Sequence, residues 1–189
     1  MGFSRAELES FRNATVPDLV EPGCRLLFVG INPGLWTAAV GAHFARRGNR
    51  FYPALLRAGI IEHPIDASAG MLAADRDHLV ERGVGITNLV HRATARSDEL
   101  TTAELRDGLA ALRDTVERVA PRVVAVLGIT AYRSAFDGPV SAVGKQPEAF
   151  AGAQLWVLPN PSGLNAHESI DSLASAYRAA AVAAGVVRP

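Results

Sequence analysis

Arg25-Leu-Leu-Phe-Val-Gly30, followed at once by Ile31-Asn-Pro-Gly34, is the stretch of sequence that decides the fold. Its apolar run begins after the chain-breaking Pro22-Gly23 and ends at a turn, so it predicts a short buried strand. Polar and apolar residues do not alternate in it, which indicates a strand covered on both faces. Strands of that kind are typical of parallel sheets that lie between layers of helices.

The same succession of apolar strand and helical spacing continues along the chain. Further strands are predicted at residues 84–90, 123–127 and 154–158. Helices are predicted at residues 4–13, 49–58, 71–82, 102–119, 128–136 and 167–184, and a loop at 38–48. We therefore expect an α/β fold, a three-layer α/β/α sandwich around a central, mainly parallel sheet of four or five strands. We expect a single domain over residues 1–189, in which residues 1–21 form an N-terminal helical extension.

The composition excludes several classes of protein. Of the 189 residues 49% are hydrophobic, which is enough for a sizeable core and argues against global disorder. One cysteine, Cys24, excludes a disulfide framework and any cysteine-based zinc or iron–sulfur site within one chain. The histidines lack metal-ligand spacing, so no metal or cofactor is expected. Without a signal-peptide pattern or an apolar run of about 20 residues, we expect a cytoplasmic protein with no membrane segment.

The net charge of zero conceals an uneven distribution of charge. No acidic residue occurs between Pro22 and Ile61, a segment that contains five arginines. Of the nineteen cationic residues only Lys145 is a lysine. Arginine forms bidentate hydrogen bonds with phosphate, so this bias suits a polyanionic ligand. A compositional habit of the genome would explain the bias equally well.

In parallel sheets, ligands bind beyond the carboxyl ends of the strands, which directs attention to the loops at 30–34 and 159–165. The motifs Gly30-Ile-Asn-Pro-Gly34 and Asn160-Pro-Ser-Gly-Leu164 lie in these loops. With further matches in the same order along the chain, they resemble the uracil-DNA glycosylase superfamily, and within it the mismatch-specific uracil/thymine DNA glycosylase branch. The further matches are Phe44, Gly48-Asn-Arg-Phe51, and the segments 85–90, 124–128 and 155–159. The resemblance covers roughly residues 22 to 180.

The resemblance implies a DNA repair enzyme. Such an enzyme hydrolyses the N-glycosidic bond of uracil, or of a related damaged or mismatched pyrimidine, after that base has been flipped out of duplex DNA. It leaves an abasic site without cutting the strand, and prefers a guanine opposite the uracil. The implied partner is double-stranded DNA, and the protein is expected to be a monomer without a cofactor.

Site residues follow from the matched motifs. Asn32 takes the place of the water-positioning residue, and its carboxamide can hold a water but cannot act as a general base. Phe44 is expected to stack on the extruded base, although a core role is the ordinary alternative for a lone aromatic residue. The resemblance adds Ile31, Asn88 and Asn160 to the base pocket.

DNA contacts outside the pocket are implied as well. Leu164 is expected to act as a wedge that fills the gap left by the flipped nucleotide, with the Gly163 backbone against the opposite base. Phosphate binding is expected of Arg46, Arg47 and Ser162. Both motifs also suit ordinary turns, and such turn roles are compatible with function.

Three further positions bear on substrate preference. Asn88 takes a pocket position that is lysine in some members, and Trp36 and Thr37 are placed to crowd C5 of a pyrimidine, which would disfavour thymine. The alternative function is a nucleotide- or DNA-binding module of the same fold without catalysis. The chain lacks both Gly-x-Gly-x-x-Gly and the P-loop motif, which disfavours the nucleotide-binding version.

Overall fold

The computed structural model describes residues 2–136 and 143–189. Its strands are β1 (Leu26–Gly30), β2 (Val84–Asn88), β3 (Val123–Leu127), β4 (Gly144–Phe150) and β5 (Ala153–Leu158). Its helices are α1 (Arg5–Glu9), α2 (Leu35–Val40), α3 (Phe51–Arg57), α4 (Ala73–Glu81), α5 (Thr102–Val119), α6 (Ile129–Phe136) and α7 (Ile170–Ala183). In these two ranges no helix is both long and apolar enough to cross a membrane.

The strands form one five-stranded sheet in the order β2-β1-β3-β5-β4. β1 pairs in parallel with β2 on one side and with β3 on the other, and β3 pairs in parallel with β5. Of the five strands in the described ranges, the edge strand β4 alone runs antiparallel, against β5. The expected α/β fold with a mainly parallel sheet is therefore confirmed.

Each face of the sheet carries its own hydrophobic core. Alternate residues of β1 enter different cores, because successive side chains of a strand point to opposite faces. Leu26 and Phe28 pack with residues of α3 and α7, whereas Leu27 and Val29 pack with residues of α5 and α6. These two layers of helices explain why the apolar residues of β1 do not alternate with polar ones, and they complete the three-layer sandwich.

Two elements, β4 and α2, were not predicted from the sequence. β4 was not expected, since it contains Lys145, Pro147 and Glu148 and has a register shift between Lys145 and Ala149. Charges, proline and bulges are tolerated on edge strands, where half of the backbone groups need no partner. α2 covers residues 38–40 of the predicted loop, and it ends at Gly41, whose φ of 67° is left-handed.

The N-terminal residues are only partly helical. Ser4 and Glu7 form the expected capping box, but the helix that it starts, α1, ends at Glu9. The chain then pairs with the edge of the sheet, where the amide of Leu19 donates to Ile86 O at 2.9 Å and the amide of Ile86 donates to Leu19 O at 2.7 Å. The N-terminal segment therefore covers the exposed edge of β2.

We expect Gly108→Ala to destabilise the protein, although alanine is the better helix former. A Cβ at Gly108 in α5 would lie 2.0 Å from Leu89 O, so the helix would have to move away from the end of β2. An open helix position would gain about 1 kcal/mol from this change. We expect instead a loss of about 1–3 kcal/mol in the free energy of unfolding, measured by urea denaturation. Ala110→Gly, at an exposed position of the same helix, gives the propensity effect alone. A Gly108→Ala protein as stable as the parent would contradict this packing.

Candidate active site

A cavity of about 670 Å³ opens at the carboxyl ends of the parallel strands. Strand register brings its walls together, since Gly30 at the end of β1 pairs with Asn88 at the end of β2. β5 delivers Asn160 to the same edge. Eight of the residues predicted to bind the base or the DNA line this cavity: Ile31, Asn32, Phe44, Arg46, Asn88, Asn160, Ser162 and Leu164. Gly163 and Arg47 do not.

The carboxamide of Asn32 is held in one orientation. Its Nδ2 lies 3.2 Å from Pro33 O, 3.1 Å from Arg92 O and 2.7 Å from Thr94 Oγ1. Backbone carbonyls only accept hydrogen bonds, so the amino end must face them. Among the described residues no donor meets Asn32 Oδ1. Asn32 therefore offers the cavity a hydrogen-bond acceptor, the end that can hold a water molecule.

Thr94 is a site residue that the sequence analysis missed. Its hydroxyl donates to Arg96 O at 2.8 Å, which leaves an oxygen lone pair to accept from Asn32 Nδ2. Its amide donates to Pro33 O at 3.1 Å, so it also ties its loop to the Asn-Pro-Gly turn. Thr94 is buried, lines the cavity and follows no regular pattern, so only the structure reveals its role.

The carboxamide of Asn160 is oriented the opposite way to that of Asn32. Its Oδ1 accepts the amide of Ser162 at 2.9 Å, so the oxygen is engaged within its own loop. Among the described residues no acceptor meets its Nδ2. Asn160 therefore offers the cavity a donor, where Asn32 offers an acceptor.

Asn88 is buried and has its amino end engaged as well. Its Nδ2 lies 3.2 Å from Nδ1 of the buried His43. Its Oδ1 lies on the side of Gly30, where an added Cβ would come within 2.5 Å of that oxygen. Gly30 thus leaves room for the Asn88 oxygen at the wall of the cavity, as a second acceptor.

Phe44 forms an aromatic wall of the cavity. Its ring stacks on Phe51 with centroids 4.0 Å apart and an interplanar angle of 26°. Phe44 has a φ of 55°, a left-handed value that is strained for a non-glycine residue. With one ring face against Phe51 and the residue lining the cavity, the other face is available to a flat ligand. Phe44 therefore packs partly against the core, as in the ordinary alternative, and its stacking on a base stays a prediction.

Backbone donors supplement the side chains. Within the described ranges, the amides of Ile31 and Phe44 have no hydrogen-bond partner, and both residues line the cavity. Unpaired N–H groups at a cavity wall are suited to a ligand with carbonyl oxygens on its edge.

Leu164 projects from the second loop and is 81% exposed. An arginine that the sequence analysis quoted without assigning a role, Arg50, holds this loop, residues 161–168. Its guanidinium donates to the carbonyls of Ser162 at 2.5 Å, Asn165 at 2.7 Å and Glu168. Its backbone amide donates to Pro161 O at 3.0 Å. The exposed leucine is therefore carried by a loop with a fixed backbone.

Gly163 lies outside the cavity lining, and the protein itself explains why it is a glycine. A Cβ there would lie 2.5 Å from Gly48 O, which means that the 161–168 loop packs directly on the backbone of the Gly48-Asn-Arg-Phe51 segment. This close approach requires a glycine whatever the loop binds.

Arg46 and Arg47, at the opening of the cavity, are exposed. Arg46 lines the cavity, and Arg47 lines a neighbouring hollow of about 380 Å³ that Arg46 shares. Among the described residues neither forms an ion pair. Thr37 lines the cavity as expected, but Trp36 does not, since its indole donates to Ser68 O at 3.0 Å and its ring packs on Phe3. The expectation that Trp36 crowds the base is therefore wrong.

The fold and the cavity together define the class of protein. It is a three-layer α/β protein with its site at the carboxyl ends of parallel strands, and this site suits a flat ring that has hydrogen-bonding groups on its edge. The sequence model of the Uracil DNA glycosylase superfamily matches residues 17–183. The chain belongs to this superfamily of DNA-repair glycosylases.

A solved structure supports the fold. The solution NMR structure of a candidate uracil DNA glycosylase from Methanosarcina acetivorans is similar, with a TM-score of 0.60 and 16% sequence identity. The match covers 92% of this chain and 98% of the other. At this identity the similarity concerns the α/β architecture.

We expect Arg50→Leu to loosen the 161–168 loop. Hydrogen bonds from a charged donor contribute about 1.5–3 kcal/mol each, so losing three should lower the free energy of local opening by at least about 2 kcal/mol. This predicts about a 30-fold faster amide exchange in residues 160–168 by mass spectrometry. Arg57→Leu is the matched control, because Arg57 is 66% exposed and, among the described residues, its one ion pair is with the exposed Asp171. Equal exchange in the two variants would show that Arg50 does not hold the loop.

Proposed function

We propose that this protein hydrolyses the N-glycosidic bond of uracil flipped out of duplex DNA and leaves an abasic site. The observation that carries the proposal is the fixed polarity of the three asparagines around one cavity. Uracil linked through N1 has one N–H donor, N3–H, between the two acceptors O2 and O4. The Asn88 oxygen suits N3–H, while Asn160 Nδ2 and the free amides of Ile31 and Phe44 suit the carbonyl oxygens.

The reaction requires an attacking water and a stabilised leaving group. Asn32 Oδ1 accepts a hydrogen bond from the water and orients it towards C1′, without removing its proton. The departing base carries negative charge on O2 and O4, which the donors at Asn160 and at the backbone stabilise. Phe44 stacks on the base and holds its plane. Orientation and leaving-group stabilisation thus replace a general base.

The proposed enzyme is monofunctional. Strand cleavage through a Schiff base requires an amine nucleophile, and the sole lysine, Lys145, lies on the edge strand β4 away from the cavity. Cys24 is buried, and burial raises the pKa of its thiol to about 11. Water is therefore the nucleophile that the site can use.

Contacts with DNA are proposed on the same side of the molecule. Leu164 fills the gap in the base stack, and the Gly163 backbone meets the opposite base. Arg46 and Arg47, which form no ion pair in the described ranges, and the Ser162 hydroxyl contact phosphates. A wobble pair costs less to open than a Watson–Crick pair, so the proposal extends to mismatch preference, the property of the uracil/thymine branch. We further propose that the protein acts as a monomer in the cytoplasm.

The proposal is tested by incubating the protein with duplexes that contain U·G, U·A or T·G and with single-stranded uracil DNA, followed by alkaline cleavage of abasic sites. We expect strand breaks only after alkali, and single-turnover excision about ten- to a hundredfold faster on U·G than on U·A.

Leu164→Ala should lower both rates, most on U·A, whereas Leu72→Ala, at an exposed position outside the cavity lining, should not. A protein that binds these duplexes and excises nothing would be the non-catalytic module. Equal excision rates on U·G and U·A that Leu164→Ala leaves unchanged would contradict the role of Leu164 as a wedge.

Asn32→Ala should lower the single-turnover excision rate about a hundredfold, with little change in the Kd for the duplex. A residue that orients water acts on the transition state more than on ground-state binding. Thr94→Val should lower the rate about tenfold by releasing the Asn32 amide, while Thr94→Ser, which keeps the hydroxyl, should remain near the parent. If Asn32→Ala weakened binding as much as the rate, Asn32 would be a structural turn residue.

A further inference from the structure

We propose that His43 is a positioning residue that locks the Asn88 carboxamide with its oxygen towards the cavity, so that the pocket accepts N3–H of uracil and rejects N3 of cytosine. This inference rests on the proposed function. A uracil-excising enzyme meets cytosine far more often than uracil, so rejection of cytosine is a requirement of the site.

The tautomer of His43 follows from its outer contact. The ring is buried, with 5% of its surface exposed, and Nε2 lies 3.0 Å from Pro17 O. A carbonyl only accepts, so Nε2 carries the proton. In a neutral imidazole, Nδ1 is then a bare acceptor.

That acceptor fixes the neighbouring amide. Asn88 Nδ2 lies 3.2 Å from His43 Nδ1, and only the amino end of the carboxamide can donate to the nitrogen lone pair. A flipped amide would place Oδ1 against Nδ1, two acceptors in contact in a buried site, and so would be disfavoured. The Asn88 oxygen is consequently held at Gly30, on the wall of the cavity.

The locked oxygen distinguishes two bases that are similar in size. Uracil presents a donor at N3, whereas cytosine presents a lone pair there. An acceptor that cannot rotate leaves the cytosine N3 without a donor, and a buried unpaired polar group is costly. If the Asn88 amide were free to flip, its amino end would donate a hydrogen bond to N3 of cytosine.

The lock requires a neutral His43. Burial is the main cause that lowers the pKa of His43 below its ordinary value of 6.5, and the charge of His91 lowers it further, while Pro17 O and Asp18 oppose the shift. Asp18 and His91 form a pair at 3.3 Å, and the Tyr52 hydroxyl donates to the His43 carbonyl. As the pH falls below 6.5 and through the lowered pKa, Nδ1 gains a proton and can no longer accept from Asn88.

Two substitutions separate the contacts of His43. His43→Asn keeps an oxygen acceptor at the position of Nδ1 and loses the contact with Pro17, whereas His43→Gln keeps a donor near the position of Nε2 and has no acceptor at the Nδ1 position. In single-turnover excision from U·G at pH 7.5, we expect His43→Asn within about threefold of the parent and His43→Gln at least about tenfold slower. In an Asn88→Ala background the two variants should have equal excision rates, because residue 43 then has no carboxamide to orient.

The pH profile and NMR provide independent measurements. The parent rate should fall as the pH is lowered below 6.5 and through the lowered pKa of His43, and this fall should be absent in His43→Asn, which retains the Asp18–His91 pair. Imidazole ¹⁵N shifts at pH 7.5 should show Nε2 protonated and Nδ1 bare, whatever the activity. A protonated Nδ1, or equal rates in His43→Asn and His43→Gln, would overturn the lock. A parent that excises no uracil while His43 shows the expected tautomer would contradict the proposed function instead.

Discussion

Parallel pairing of β1 with both of its neighbours is the constraint on which the site depends. It aligns the carboxyl ends of the strands at one edge, so that residues far apart in the chain meet there. Gly30 faces Asn88 because their strands are in register, and the Asn32 amide reaches Thr94, 62 residues away. A register shift of one residue between β1 and β2 would turn every side chain of one strand to the opposite face of the sheet. Both hydrophobic cores and the cavity would then be lost.

Within that frame, the chemistry depends on the direction of each carboxamide. An asparagine has a donor end and an acceptor end, and a free side chain would present either. Here backbone carbonyls hold Asn32, a backbone amide holds Asn160, and an imidazole nitrogen holds Asn88. Three identical side chains therefore present two acceptors and one donor. One residue type thus presents two hydrogen-bonding polarities, which the groups behind each side chain determine.

The sequence predicted what local patterns determine and missed what distant contacts determine. Helix α5 and strand β3 match their predicted bounds, because apolar spacing and the flanking cap and proline act locally. β4 was missed because Lys145, Pro147 and Glu148 disfavour a strand everywhere except at an edge. The motifs identified Asn32 and Asn160, but nothing near Asn32 in the chain points to Thr94, and nothing near Asn88 points to His43. Their partnerships exist only once the strands are aligned.

The hold of Arg50 on the 161–168 loop has a thermodynamic consequence. A leucine at the tip of a disordered loop would lose conformational entropy when it entered a base stack, at about 1–2 kcal/mol for each backbone residue ordered. Here the carbonyls of Ser162 and Asn165 are already bound in the free protein. The entropic cost of ordering the loop is therefore met during folding. What remains at the encounter with a ligand is the release of water from an exposed leucine, which favours association by about 1.5–3 kcal/mol when burial is complete.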